Sequence, residues 1–118
     1  MRTLKFRAWD DVLKYYINPN ELVYRLDGYL FSREFQEELH DAIIEQFTGL
    51  QDKNGKDIYE GDIVKGKQWN PDTYQVGFNR GGFCFFNEGD KYYEDCKYLN
   101  QFEIIGNVHE NKHLLKSA

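Results

Sequence analysis

The residues with the means to do chemistry are a few carboxylates and histidines. Asp57, Glu60 and Asp62 fall within six residues, and His40 adjoins Asp41. Paired carboxylates can split their pKa values and divide acid and base roles between them. Turns and helix faces gather carboxylates as well, for capping and solubility. The latter reading accounts for all of these residues without a catalytic site. His109 and His113 stand four apart, and twelve residues separate Cys96 from His109, like the second half of a zinc-finger pattern. A finger needs its two cysteines about two to four residues apart, whereas eleven lie between Cys84 and Cys96. Asp52-Lys53-Asn54-Gly55 starts like a calcium loop. Such a loop needs glycine at its sixth position and glutamate at its twelfth, and here glycine is fourth and Ile63 twelfth. No phosphate-binding glycine pattern occurs, and the only serines are Ser32 and Ser117. No catalytic residue, metal or cofactor is therefore expected, and the chain does not read as an enzyme.

The elements that would position these residues read as mainly β. Leu4, Phe6 and Ala8 alternate with Lys5, Arg7 and Trp9, a strand period. Val12 to Ile17 looks extended, Asn18-Pro19-Asn20 signals a turn, and Asp27-Gly28 signals a hairpin between Leu22–Leu26 and Tyr29–Phe31. Ser32 is placed to cap a helix, because Phe35, Leu39, Ala42 and Ile43 recur on one helical face. Ile43, Ile44 and Phe47 equally suit the start of a strand. Asn54-Gly55 and Glu60-Gly61-Asp62 are turns, the second with Asp62 placed to accept backbone hydrogen bonds. Tyr74, Val76 and Phe78 then alternate, Asn79 to Gly82 turns, Phe83 to Phe86 is extended, and Phe102 to Val108 is a last strand. Regular short strands of this kind indicate a barrel or sandwich. Leu114-Leu115 breaks the polar tail and fits either a short docked helix or a frayed end.

Composition narrows the function further. The net charge is −5, with 8 basic and 12 acidic groups in residues 1–60 and 7 and 8 in residues 61–118. Neither half carries the basic footprint of a nucleic-acid domain, so nucleic acid is not expected as a partner. Lys65, Lys67 and Arg80 form at most a small local patch. Aromatic residues make up 17% of the chain, too many for a disordered one. No apolar run reaches the ~18–20 residues of a membrane helix, and no secretory leader is expected. Two cysteines are too few for a disulfide framework, and both are expected to be reduced cytoplasmic thiols, Cys84 as a small buried hydrophobe.

Three segments together resemble the YopX family of phage and prophage proteins. They are Lys5-Phe6-Arg7-Ala8-Trp9-Asp10, the long run from Gln46 through Thr48-Gly49-Leu50-Gln51-Asp52-Lys53-Asn54-Gly55 to Val64, and Phe102 to Asn111 with Leu114-Leu115. His109 replaces a frequent aromatic, Lys112 a proline and Phe47 a usual tyrosine. The resemblance implies a bacterial phage or prophage origin. It also implies a C-terminal SH3-like β-barrel with a more variable N-terminal part, and it carries no mechanism. The expected organisation is an N-terminal strand meander with one short helix over residues 1–44, packing on a barrel over 45–118 as one unit. Thr48, Gly49, Asp52, Asn54, Gly55, Tyr59, Glu60, Gly61, Asp62, Gly106 and Asn107 match the family motif, and turn chemistry explains them. The aromatic surplus at Phe83, Phe85, Phe86, Tyr92, Tyr93 and Tyr98 is the expected association surface. The expected function is that of a cytoplasmic accessory protein that is not an enzyme, the alternatives being a nucleic-acid-binding small barrel or an enzyme using Asp57, Glu60 and Asp62 with His40. Its expected partners are other copies of itself and a host or phage protein.

Overall fold

The structure is a computed structural model that describes residues 3–67, 72–79, 81–87 and 92–115, with only the backbone described at 79 and 92–97. It is mainly β, with eleven strands and three short 3-10 helices among those residues. None of these helices is long and apolar enough to cross a membrane. The chain divides into two compact units, Lys5–Glu45 and Gln46–Ala118, the latter joined by Met1–Leu4.

In the first unit, β1 (Phe6–Asp10) and β2 (Tyr15–Tyr16) form a hairpin, and β1 lies between β2 and the start of β5 (Ala42–Gln51). The extended stretch expected from Val12 to Ile17 is confined to Tyr15–Tyr16. Asp10 Oδ1 accepts the N–H groups of Val12 at 2.9 Å and Leu13 at 2.8 Å, and Lys14 takes φ +63°, so residues 11–14 turn instead. Pro19–Glu21 is a 3-10 turn capped by Asn18, followed by β3 (Leu22–Tyr24) paired with β4 (Leu30–Ser32). Gly28, at φ +94°, makes the bend between them.

The helix expected after Ser32 does not form. Ser32 Oγ accepts the Phe35 N–H at 3.3 Å, as a cap would. Gln36 then takes φ +52°, its N–H bonds to Ser32 O, and Ser32 N–H bonds to Glu37 O. Leu39 N–H reaches Leu30 O at 2.8 Å, so residues 37–39 double back beside β4. Ala42 and Ile43 belong to β5, and Phe35 is 68% exposed rather than on a core face. A three-turn helix is marginal without tertiary support, and the branched pair Ile43-Ile44 suits the pleat better. The core of this unit is small: Ala8, Leu22 and Leu30, with Ile17, Leu39 and Ala42 against them.

In the second unit, β5 pairs with β6 (Asp57–Tyr59). The strands β7 (Asp62–Lys65), β8 (Thr73–Asn79), β9 (Gly82–Asn87), β10 (Tyr92–Asp95) and β11 (Glu103–Asn107) make an antiparallel sheet. Its order is β10-β9-β8-β7-β11, and it curls as a half-barrel. Its core holds Ile58, Val64, Tyr74, Val76, Phe85, Leu99 and Phe102. Tyr74, Phe85 and Phe102 meet ring to ring with centroids 5.0–6.0 Å apart. The alternation of β8 buries Tyr74 and Val76 but not Phe78, which is 56% exposed at the hairpin end and packs edge-on against Phe83. The tail forms a 3-10 turn, Lys112–Leu115, with Leu115 buried and its carbonyl accepting from Asn87 Nδ2 at 3.3 Å.

Candidate functional site

The motif residues between Thr48 and Asp62 build turns. Phe47 pairs with Tyr59 and Gln51 with Asp57, so β5 spends two extra residues there as a bulge. Gly49 supplies its φ of +87°, and Thr48 Oγ1 donates to Ile58 O at 2.8 Å and accepts the Leu50 N–H at 3.2 Å. Asp52 is buried and holds the next loop. Its Oδ1 accepts the N–H groups of Asn54 and Lys56, both at 2.9 Å, and its Oδ2 accepts that of Ile104 at 3.0 Å. Burial opposes ionisation of this carboxyl. The backbone donors of Ile104, Lys56 and Asn54, with the Lys56 charge, outweigh that and hold it below its ordinary value. Gly55, at φ +82°, completes the loop.

The three clustered carboxylates each serve a different partner. Asp57 Oδ1 accepts from Gln51 Nε2 at 3.1 Å, Glu60 Oε1 from Gln46 N–H at 2.9 Å, and Asp62 Oδ2 from Tyr59 N–H at 2.8 Å. Gly61 donates to Val76 O and accepts from Val108 N–H, both at 2.8 Å. Around β11, Asn107 Oδ1 accepts the N–H groups of His109 and Glu110 at 3.0 Å. Gly106 leaves room for Asn111, whose Oδ1 accepts the Asn107 N–H at 3.1 Å. Among the described residues no cluster of three His, Cys, Asp or Glu side chains is placed to hold a metal ion. Cys84 is buried, which pushes its thiol pKa up.

Burial removes Phe85 from the aromatic surface expected at residues 83–98. Phe85 is 0% exposed and sits at the centre of the core, while Phe83 and Tyr98 are half-buried against it. Phe86 is half-buried over Gly77. The side chains of Tyr92 and Tyr93 lie outside the described residues. The apolar surplus is elsewhere. Of the twelve large hydrophobic side chains exposed among the described residues, ten belong to Lys5–Glu45, including Val12, Leu13, Leu26, Tyr29, Phe35 and Ile44. The signal was present in the turns: Val12-Leu13 follows Asp10-Asp11 and Leu26 precedes Asp27-Gly28, where side chains cannot reach a core.

The same unit holds a cleft of about 210 Å³. Residues 28–30, the returning segment 38–40, and Ala42 and Ile44 of β5 frame it. Its walls are apolar at Tyr29, Leu39, Ala42 and Ile44, and Glu38 and His40 lie on its rim, with His40 Nδ1 2.7 Å from Glu38 Oε2.

These features define a small, mainly β protein whose sequence motif builds turns and whose apolar surface is gathered on one unit. The sequence matches the family described as "YopX protein" over residues 5–116, and the chain belongs to that family. No curated protein matches it. Two crystal structures share the fold, each covered in full and covering 98% of this chain. Protein yopX from Bacillus subtilis matches with a TM-score of 0.62 at 22% identity, and protein EF1440 from Enterococcus faecalis with 0.59 at 23%.

Proposed function

We propose that this chain is a phage- or prophage-encoded accessory protein of the bacterial cytoplasm that works through protein contacts, self-association among them, and not as an enzyme. The observation that carries this reading is the concentration of exposed apolar side chains on Lys5–Glu45, whose own core is too small to absorb them. Exposed apolar side chains concentrated on one unit are the material of which interaction sites are made. The engagement of Asp52, Asp57, Glu60 and Asp62 in local hydrogen bonds supports a structural rather than a catalytic motif. The origin rests on the family resemblance. In the same reading the curled sheet of Gln46–Ala118 is an SH3-like barrel that serves as the scaffold.

Light scattering on a size-exclusion column, run across a concentration series, tests the self-association. Capture from prophage-carrying cells with the wild-type chain and with a Leu13→Ser/Leu26→Ser variant tests the partner contact. A protein retained equally by both would place the contact elsewhere.

A further inference from the structure

We propose that the cleft between residues 28–30, 38–40 and the start of β5 docks one lysine or arginine side chain carried on an apolar segment of a partner protein. The inference deepens the contact function above and rests on it.

The walls suit the stem of such a side chain. Tyr29, Leu39, Ala42 and Ile44 present apolar surface, and long basic side chains bury their methylenes against such surface while keeping the charge in water. A volume of about 210 Å³ exceeds the ~150 Å³ that accommodates benzene, so it fits one long side chain and not a folded element. The rim suits the charge. Glu38 Oε2 lies 2.7 Å from His40 Nδ1, and Oε1 has no partner among the described residues. A carboxylate so placed can pair with an incoming cation while the histidine holds its orientation.

The surroundings are negative. Residues 33–41 carry Glu34, Glu37, Glu38 and Asp41 against Arg33. None of Glu34, Glu37 and Asp41 forms an ion pair with a described residue. The local arginines are engaged: Arg25 pairs with Asp27 at 2.7 Å and lies 5.2 Å from the Phe31 ring centre, and Arg33 Nε donates to Asn20 O at 2.9 Å. One carboxylate, Glu38, lining an otherwise apolar cleft on a chain segment of net negative charge selects against an acidic or purely apolar segment.

The test is an amide NMR titration of the full chain with three capped tripeptides, Leu-Lys-Leu, Leu-norleucine-Leu and Leu-Glu-Leu. The lysine peptide is expected to shift Leu39, Ala42 and Ile44 and to bind up to about fivefold tighter than its norleucine counterpart, the upper end for an exposed ion pair. Glu38→Gln should erase that preference with the spectrum otherwise intact, and Tyr29→Ala should weaken the lysine and norleucine peptides alike. Equal binding of all three peptides, or shifts confined to other residues, would overturn the proposal. So would n-butylamine binding as tightly as the lysine peptide, since that assigns the cleft to free amines. Competition of the lysine peptide with self-association, read by light scattering, would assign the cleft to a second copy and overturn it too. Self-association that persists without any peptide binding would sink the cleft alone and leave the contact function standing.

Discussion

Asp52 is the side chain on which the motif loop depends. Three backbone N–H groups from two separate segments converge on its two oxygens, so the carboxylate ties the 52–56 loop to β11. Removing it leaves the half-buried Ile104 N–H without its acceptor and gives the N–H groups of exposed Asn54 and Lys56 to water, and a hydrogen bond to a charged group contributes about 1.5–3 kcal/mol. Asp52→Ala is expected to lower stability by about 1.5–3 kcal/mol, read as the urea midpoint at neutral pH. The pH dependence has a definite sign. The folded carboxyl titrates below the unfolded one, near 3.9 in peptides, so its contribution is full above that value. It is lost as pH falls through the lower, folded value. Wild type should therefore lose more stability between pH 6 and pH 3 than Asp52→Ala does, and parallel pH profiles would count against the assigned role. The family motif made Asp52 visible as a turn residue. Its bond to Ile104 was not visible, because that partner lies 52 positions away and is brought near only by the sheet.

At the scale of elements, the strands and turns of Gln46–Ala118 were largely legible. Gly55 beside Asn54 and Gly61 beside Asp62 mark turns through their access to positive φ, which Gly49 and Gly81 use as well. The segment after Ser32 was not legible, because its apolar spacing fits a helix while its fate is decided by backbone bonds to β4. Aromatic positions misled for a related reason. Strand alternation says which residues share a face, but not whether that face is covered. Two substitutions distinguish the faces. Phe85→Ala should cost about 3–5 kcal/mol, as for a fully buried ring, whereas Phe35→Ala should leave the unfolding midpoint within about 0.5 kcal/mol of wild type. Gly77 is a tighter constraint, since an added Cβ would lie 2.7 Å from Phe86 Cε1. Gly77→Ala should destabilise the β8–β9 pair by about 1–3 kcal/mol, and Phe86→Leu in that background should recover part of it. Equal unfolding midpoints for Gly77→Ala with and without Phe86→Leu would contradict this packing.

On the scale of the whole molecule, the two units differ in how much of their apolar surface they bury. Gln46–Ala118 closes seven buried side chains, three of them rings in edge-on or tilted contact, and Phe78 is its one large exposed hydrophobic between residues 46 and 115 among those described. Lys5–Glu45 keeps three buried side chains in its core cluster and leaves ten large ones exposed. The acidic composition had argued against a phosphate-backbone partner. The placement of the acids adds a preference, because Glu38 lines the cleft and Glu34, Glu37 and Asp41 are near it in sequence. Full burial of a leucine side chain at an interface is favourable by about 1.5–3 kcal/mol, so two such side chains can decide whether copies associate. The most direct measurement is the light-scattering mass across concentration, for wild type and for Leu13→Ser/Leu26→Ser. The contact function predicts a wild-type mass that rises with concentration above the 14.1 kDa of one chain, and a variant that stays lower at each concentration with an unchanged unfolding midpoint. A wild-type mass of 14.1 kDa at every concentration would contradict self-association through Lys5–Glu45.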